Sequence, residues 1–162
     1  MSENFTEDSK IQQIAEAYAL DAIDFAKDNF KLKLDWSDAS ISQIESMLDV
    51  FHKQMATSKP SDEQIFQFAK MFGSYVGEVF RRNHGAKWGI INLQGQEFPG
   101  LNANGTGGLF WPWGRAQNRM SNGPEDNMWH YYQVLLERNG TNGKATSTST
   151  QKKSLWDRLR GA

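Results

Sequence analysis

The sequence predicts an α+β domain: three N-terminal helices, a small antiparallel sheet and a final helix, followed by a disordered C-terminal tail. Three observations carry that prediction. Apolar residues recur at i, i+3, i+4 and i+7 through the first half of the chain, the period of helices with one buried face. Between Lys87 and Trp113 the pattern changes to short β-type runs among Gly, Asn and Pro. Beyond Arg138 the composition turns polar, too poor in apolar side chains to offset the entropy of ordering.

The elements follow in order. From Ile11 onward, Ile14, Ala15, Tyr18, Ala22, Phe25 and Ala26 share one helical face, and Glu16, Asp21, Asp24 and Asp28 lie opposite. "FKLKLDW" alternates apolar and polar residues from Phe30 to Trp36, as a short strand or an extended connection would. Ser40 is the candidate N-cap of the second helix, with Gln43 as its capping-box partner, and Ile41, Ile44, Leu48 and Phe51 follow on one face. Pro60 breaks the chain, and Ser61 caps a third helix whose first turn holds Asp62 and Glu63. That helix ends at "RRNHG", where Gly85 suits a left-handed terminus. "KWGIINL" reads as a strand, with further short strands near Glu97–Leu101 and Gly108–Trp113. A short helix, a turn at Asn122-Gly123-Pro124 and a last helix from Pro124 to Arg138 complete the domain. Residues 1–138 thus form a single domain, 139–153 a flexible linker and 154–162 a short amphipathic motif.

Composition bounds the function. The 162 residues suffice for one domain with a real core and fall short of two. No cysteine is present, which excludes disulfides and thiolate chemistry. The acidic start "MSENFTEDSK" does not read as a signal peptide, and no apolar run approaches the ~18 residues that span a membrane, so a cytoplasmic protein is expected. Residues 1–50 hold 11 acidic and 4 basic side chains, a net of −7, whereas residues 138–162 hold 1 and 6, a net of +5. Phosphate binding needs a clustered basic face, so no nucleic-acid partner is expected of the core.

"LDWSDASISQIESML", "FGSYVGEVFRRNHGAKW" and "FWPWGRAQNRMSNGPEDNMWHYY" together resemble a family of small bacterial proteins known mainly as a domain of unknown function. The shared pattern is a Leu-Asp-x-Ser helix entry, a Gly-x-Tyr-x-Gly-Glu-Val helix end, a Trp-bearing strand and a Trp-Pro segment leading to a final aromatic helix. It covers about residues 25–137. Related small domains sit beside secreted toxins as their immunity proteins. The resemblance therefore implies a non-enzymatic protein that binds and neutralises a toxin, and it supplies no catalytic residue.

The residues leave several sites open. Ala69, Gly73 and Gly77 form a small-residue ridge that lets another element approach the third helix closely. Glu78 reads either as an ion pair with Arg81 or Arg82, or as a buried general acid or base in a pocket with Tyr75, Arg82 and Trp88. Trp111 and Trp113 flank Pro112 and precede Arg115 and Arg119. That mixture suits a partner-binding surface; the alternative reading is that both tryptophans are core lids. Leu155, Trp156 and Leu159 would share a helical face fit for docking into a groove. His52, His84 and His130 lie too far apart for a sequence-local metal motif, and "GTGG" at 105–108 lacks the lysine of a phosphate loop, so no metal and no cofactor is expected. A basic toxin would suit the acidic first third by electrostatic steering.

Overall fold

The computed structural model describes residues 4–103 and 108–143. Among these residues the fold is α+β, with five α-helices and a four-stranded antiparallel sheet. Strand β1 (Phe5–Glu7) leads into α1 (Ser9–Phe30), and an extended connection then reaches α2 (Ile41–Ser58) and α3 (Asp62–His84). Strands β2 (Ala86–Leu93), β3 (Gln96–Ala103) and β4 (Leu109–Phe110) follow, and α4 (Pro112–Asn122) and α5 (Met128–Gly143) close the domain. The sheet order is β1-β2-β3-β4, a meander whose first strand comes from the far end of the sequence.

Helix α3 is the axis of the molecule. Its N-terminus is closed by a complete capping box: Gln64 N–H donates to Ser61 Oγ, and Ser61 N–H donates to the Gln64 side chain. At its far end the N–H of Gly85, at φ 90°, reaches back to the Arg81 carbonyl. Every residue from Met71 to Phe80 is buried, because α3 is covered on several sides at once. Helix α1 runs antiparallel along it, since Phe25 meets Phe72 while Glu16 meets Arg81. The contact face of α1 is a stripe of four fully buried alanines, Ala15, Ala19, Ala22 and Ala26. Phe25, Phe51, Phe68 and Phe72 join in one aromatic cluster where α1, α2 and α3 meet.

The glycine ridge of α3 is used for packing, on two different neighbours. A Cβ at Gly73 would lie 2.7 Å from the Pro112 carbonyl oxygen, so α4 begins directly against the α3 backbone. A Cβ at Gly77 would strike the indole of Trp88 and the Leu101 side chain, so the sheet approaches one turn further on.

Several local expectations are corrected. Ser40 makes no side-chain cap; Ser37 caps instead, accepting from Ser40 N–H at 3.2 Å at the start of a 3-10 turn over Asp38–Ser40. Of the two readings of Phe30–Trp36, the extended connection holds: Phe30 ends α1 and the residues after it join no sheet. The strand expected to reach Trp113 stops at Phe110, because Pro112 opens α4 at a position where its missing N–H costs nothing. Pro124–Asp126 is a separate 3-10 turn, and α5 begins at Met128 and continues to Gly143, five residues past Arg138. The rest of the 139–153 linker and the motif with Leu155, Trp156 and Leu159 lie outside the described residues, as does most of "GTGG".

Candidate functional site

Three polar clusters and one surface hold the residues that the sequence marks out among those described, and a second surface emerges from the fold. The first cluster centres on Glu78, whose side chain is fully buried. Its carboxylate accepts from Arg81 Nε at 2.7 Å and Nη2 at 2.9 Å, from Trp88 Nε1 at 2.9 Å and from Arg82 Nε at 3.4 Å. Burial pushes the Glu78 carboxyl up, but the hydrogen bonds from Arg81 and Trp88 and both arginine charges outweigh it, so its pKa lies below the ordinary value. Arg81 also reaches Glu16 at 3.3 Å and so ties α1 to this knot. A general acid needs the opposite shift and an open approach; Glu78 lines none of the cavities described. The ion-pair reading of Glu78 is the one that the geometry favours.

The second cluster locks the α1–α2 connection onto the end of α3. Asp35 accepts from Ser37 N–H at 3.1 Å and Ser37 Oγ at 2.6 Å, a local turn that presents Ser37 as the cap. Trp36 sits in the left-handed region at φ 66°, a conformation that costs a non-glycine residue about 1 kcal/mol or more. It is held there from three sides. Its N–H donates to the Tyr75 hydroxyl at 2.8 Å, its carbonyl accepts from Asn83 at 2.9 Å, and its ring stacks on Tyr75 with the Arg82 guanidinium 3.7 Å above. Ser40 Oγ already donates to the Ser37 carbonyl, so the hydroxyl of buried Tyr75 donates to Ser40 Oγ at 2.8 Å. Asp38 then accepts from Tyr132 at 2.6 Å and His84 at 2.9 Å, joining α3 and α5.

The third cluster takes Arg119 and Trp113, two candidates for a binding surface, into the core, which for Trp113 is the core-lid reading. Arg119 is buried, donating from Nε to Glu45 at 2.8 Å and from Nη2 to Asp49 at 2.6 Å; Glu45 also accepts the Met128 N–H at 2.7 Å. Trp113 is buried too, its indole N–H donating to Ser74 Oγ at 2.8 Å. Both serve the core. Trp111 and Arg115 remain outside. Trp111 is 38 % exposed, with its ring 5.2 Å from Phe98. Arg115 pairs with Asp126 at 3.0 Å and lies over the Tyr131 ring at 4.4 Å.

The second surface is the outer face of α1, which sequence reasoning reads as acidic without marking it as a site. Ile14 and Leu20 are 42 % and 55 % exposed there, and Ala17, Asp21, Asp24 and Asp28 share that face. Most acidic side chains of the first third are engaged within the fold. Glu7 pairs with Lys87, Asp8 caps α1, Glu16 meets Arg81, and Asp35, Asp38, Glu45 and Asp49 are held as described. Among the described residues Asp21, Asp24 and Asp28 make no ion pair. The acidic side chains of residues 4–50 that have no such engagement are therefore gathered on one helix face, beside two exposed aliphatic side chains, with exposed Lys10 and Lys27 on the same helix. Ile14, which the apolar period groups with the buried face, is exposed instead, while Leu20 falls outside that period in the sequence itself.

The histidines are separate. His52 Nδ1 donates to the Met120 carbonyl at 2.7 Å and His84 faces Asp38, while among the described residues no group of three or more His, Asp or Glu is placed to hold a metal ion. Among the described residues no helix is long and apolar enough to cross a membrane. Comparison with models of known protein families, with curated proteins and with solved structures finds no match.

Proposed function

We propose that the chain is a non-enzymatic binding protein of the immunity type, which docks a basic protein partner, a toxin being the best candidate, on the outer face of α1. One observation carries this reading: three acidic side chains of the first third that make no ion pair among the described residues, Asp21, Asp24 and Asp28, share that face with exposed Ile14 and Leu20. Exposed aliphatic groups beside acidic side chains suit a protein interface, where the apolar centre gives affinity and the charges give steering and partner choice; exposed Lys10 and Lys27 edge the patch on the same helix. Glu78 stands against the enzyme alternative, since a carboxylate saturated by two arginines and an indole has no free valence for substrate. The cytoplasm, where a protein neutralising a toxin made in the same cell would act, suits a chain without cysteine.

Capture of the partner by the tagged full-length chain from its own host tests this. The recovered protein should be basic, should impair growth when expressed alone, and should be harmless when the chain is co-expressed. A partner that is acidic, or that has no effect on growth, would sink the immunity reading.

A further inference from the structure

Strand β4 and helices α4 and α5 surround a cavity of about 210 Å³ that is independent of the α1 face. Its walls include Phe110, Trp111, Arg115, Asn118, Tyr131 and Arg138. We infer that this cavity is a binding site for a small flat anion, a carboxylate carried on an aromatic stem, gripped by Arg115 and Arg138 and walled by Trp111 and Tyr131.

Charge comes first. Tyr131 and Arg138 are seven residues apart on α5, two helical turns, and so share the face that lines the cavity. Arg115 reaches the same cavity from α4. Asp126 takes one of its nitrogens, and Asn122 donates to the other oxygen of that carboxylate at 3.2 Å, which fixes the guanidinium and leaves its remaining donors available. Among the described residues Arg138 makes no ion pair. Two guanidinium groups thus face one cavity, and no acidic side chain is among the described residues that line it. Burial pushes the Tyr131 phenol up to about 12, so at neutral pH it adds no competing negative charge.

Shape decides the stem. Ligand sites for drug-sized molecules run from about 300 Å³ upward, so this cavity suits a fragment. Aromatic walls favour a ring over a branched aliphatic chain, and a carboxylate is planar and matches the guanidinium fork.

The test uses the full-length chain at pH 7, titrated with benzoate, benzamide and inorganic phosphate. Binding is followed by the indole N–H resonance of Trp111, which is assigned by its loss in Trp111→Phe. Benzoate should shift that resonance saturably, more tightly than phosphate, and benzamide should not bind. Arg138→Gln, a change on an exposed residue, should weaken benzoate by about tenfold, as expected for a charge-assisted hydrogen bond. Equal binding of benzamide would show an apolar pocket and overturn the inference. So would tighter binding of phosphate, an unchanged affinity in Arg138→Gln, or no saturable shift with any probe.

Discussion

The indole N–H of Trp88 donates to the carboxylate of Glu78 at 2.9 Å, across the space that Gly77 leaves empty. A side chain at 77 would occupy the position of the indole, so the glycine, the carboxylate and the tryptophan form one device for seating the sheet on α3. Tyr75 in the same turn holds Trp36 and Ser40 on the other side. The pattern that invites comparison with immunity-associated domains is, in this chain, a set of mutual contacts: Asp35 and Ser37 shape the turn, Tyr75 anchors it, and Gly77 and Glu78 receive Trp88.

Glu78→Gln should therefore act on stability and not on binding. A buried ion pair broken from one side costs about 3–5 kcal/mol when the remaining charge is trapped. Here Arg81 and Arg82 both reach solvent and glutamine keeps one acceptor for Trp88, so about 2 kcal/mol is expected. Urea denaturation measures it. Loss of partner binding by a variant that remains folded would restore Glu78 as a functional residue.

The two ridge glycines should differ. Alanine gains up to about 1 kcal/mol of helix propensity at either position, and overpacking costs about 1–3 kcal/mol. At Gly73 the obstacles are backbone atoms, the Pro112 carbonyl oxygen at 2.7 Å and Trp113 Cα at 2.8 Å, which move only if α4 moves. At Gly77 they are side chains. Both variants should be destabilised, Gly73→Ala more than Gly77→Ala. The reverse order in thermal melts would mean that α4 is less firmly seated than its contacts with α3 imply.

Stability should fall on both sides of neutrality, for opposite reasons. The Glu78 carboxyl titrates below its ordinary 4.5, so its contribution is complete above that value and is lost as pH falls through the lower folded-state pKa. Tyr131 is raised from 10.0 to about 12, and burial also raises Tyr132. Their neutral forms favour the fold below pH 10, and that contribution disappears as pH climbs through the folded-state values. Melting temperature should be flat from about pH 5 to 9. Tyr131→Phe should remove part of the alkaline loss and leave the acid limb unchanged; a fall at high pH as steep as in the parent would contradict the assignment.

Much of this was legible in the chain itself. Ser61 with Asp62 and Glu63 marks the start of α3 and Gly85 its end, because caps act within a few residues of one another. What escaped depends on distant partners. Arg119 looks like a surface arginine until Glu45 and Asp49, 70 or more residues earlier, close around it. Pro112 is ambiguous between a strand edge and a helix start, and that ambiguity left Trp113 open between a binding surface and the core, to which it belongs. Strand β1 is three residues long and has no period to detect; only its pairing with Gly89–Ile91 makes it a strand. The α1 face needed the whole fold, since its meaning lies in which aspartates the rest of the chain leaves unpaired.

Charge reversal on α1 tests the central claim most directly. Asp21→Lys, Asp24→Lys and Asp28→Lys together change only exposed positions, so the triple variant should melt close to the parent. Its affinity for the captured partner, measured by calorimetry at low salt, should fall by on the order of tenfold or more, with most of the change in association rate. Parent-like affinity and association rate in a folded triple variant would show that the partner docks elsewhere, and the α1 account would be wrong.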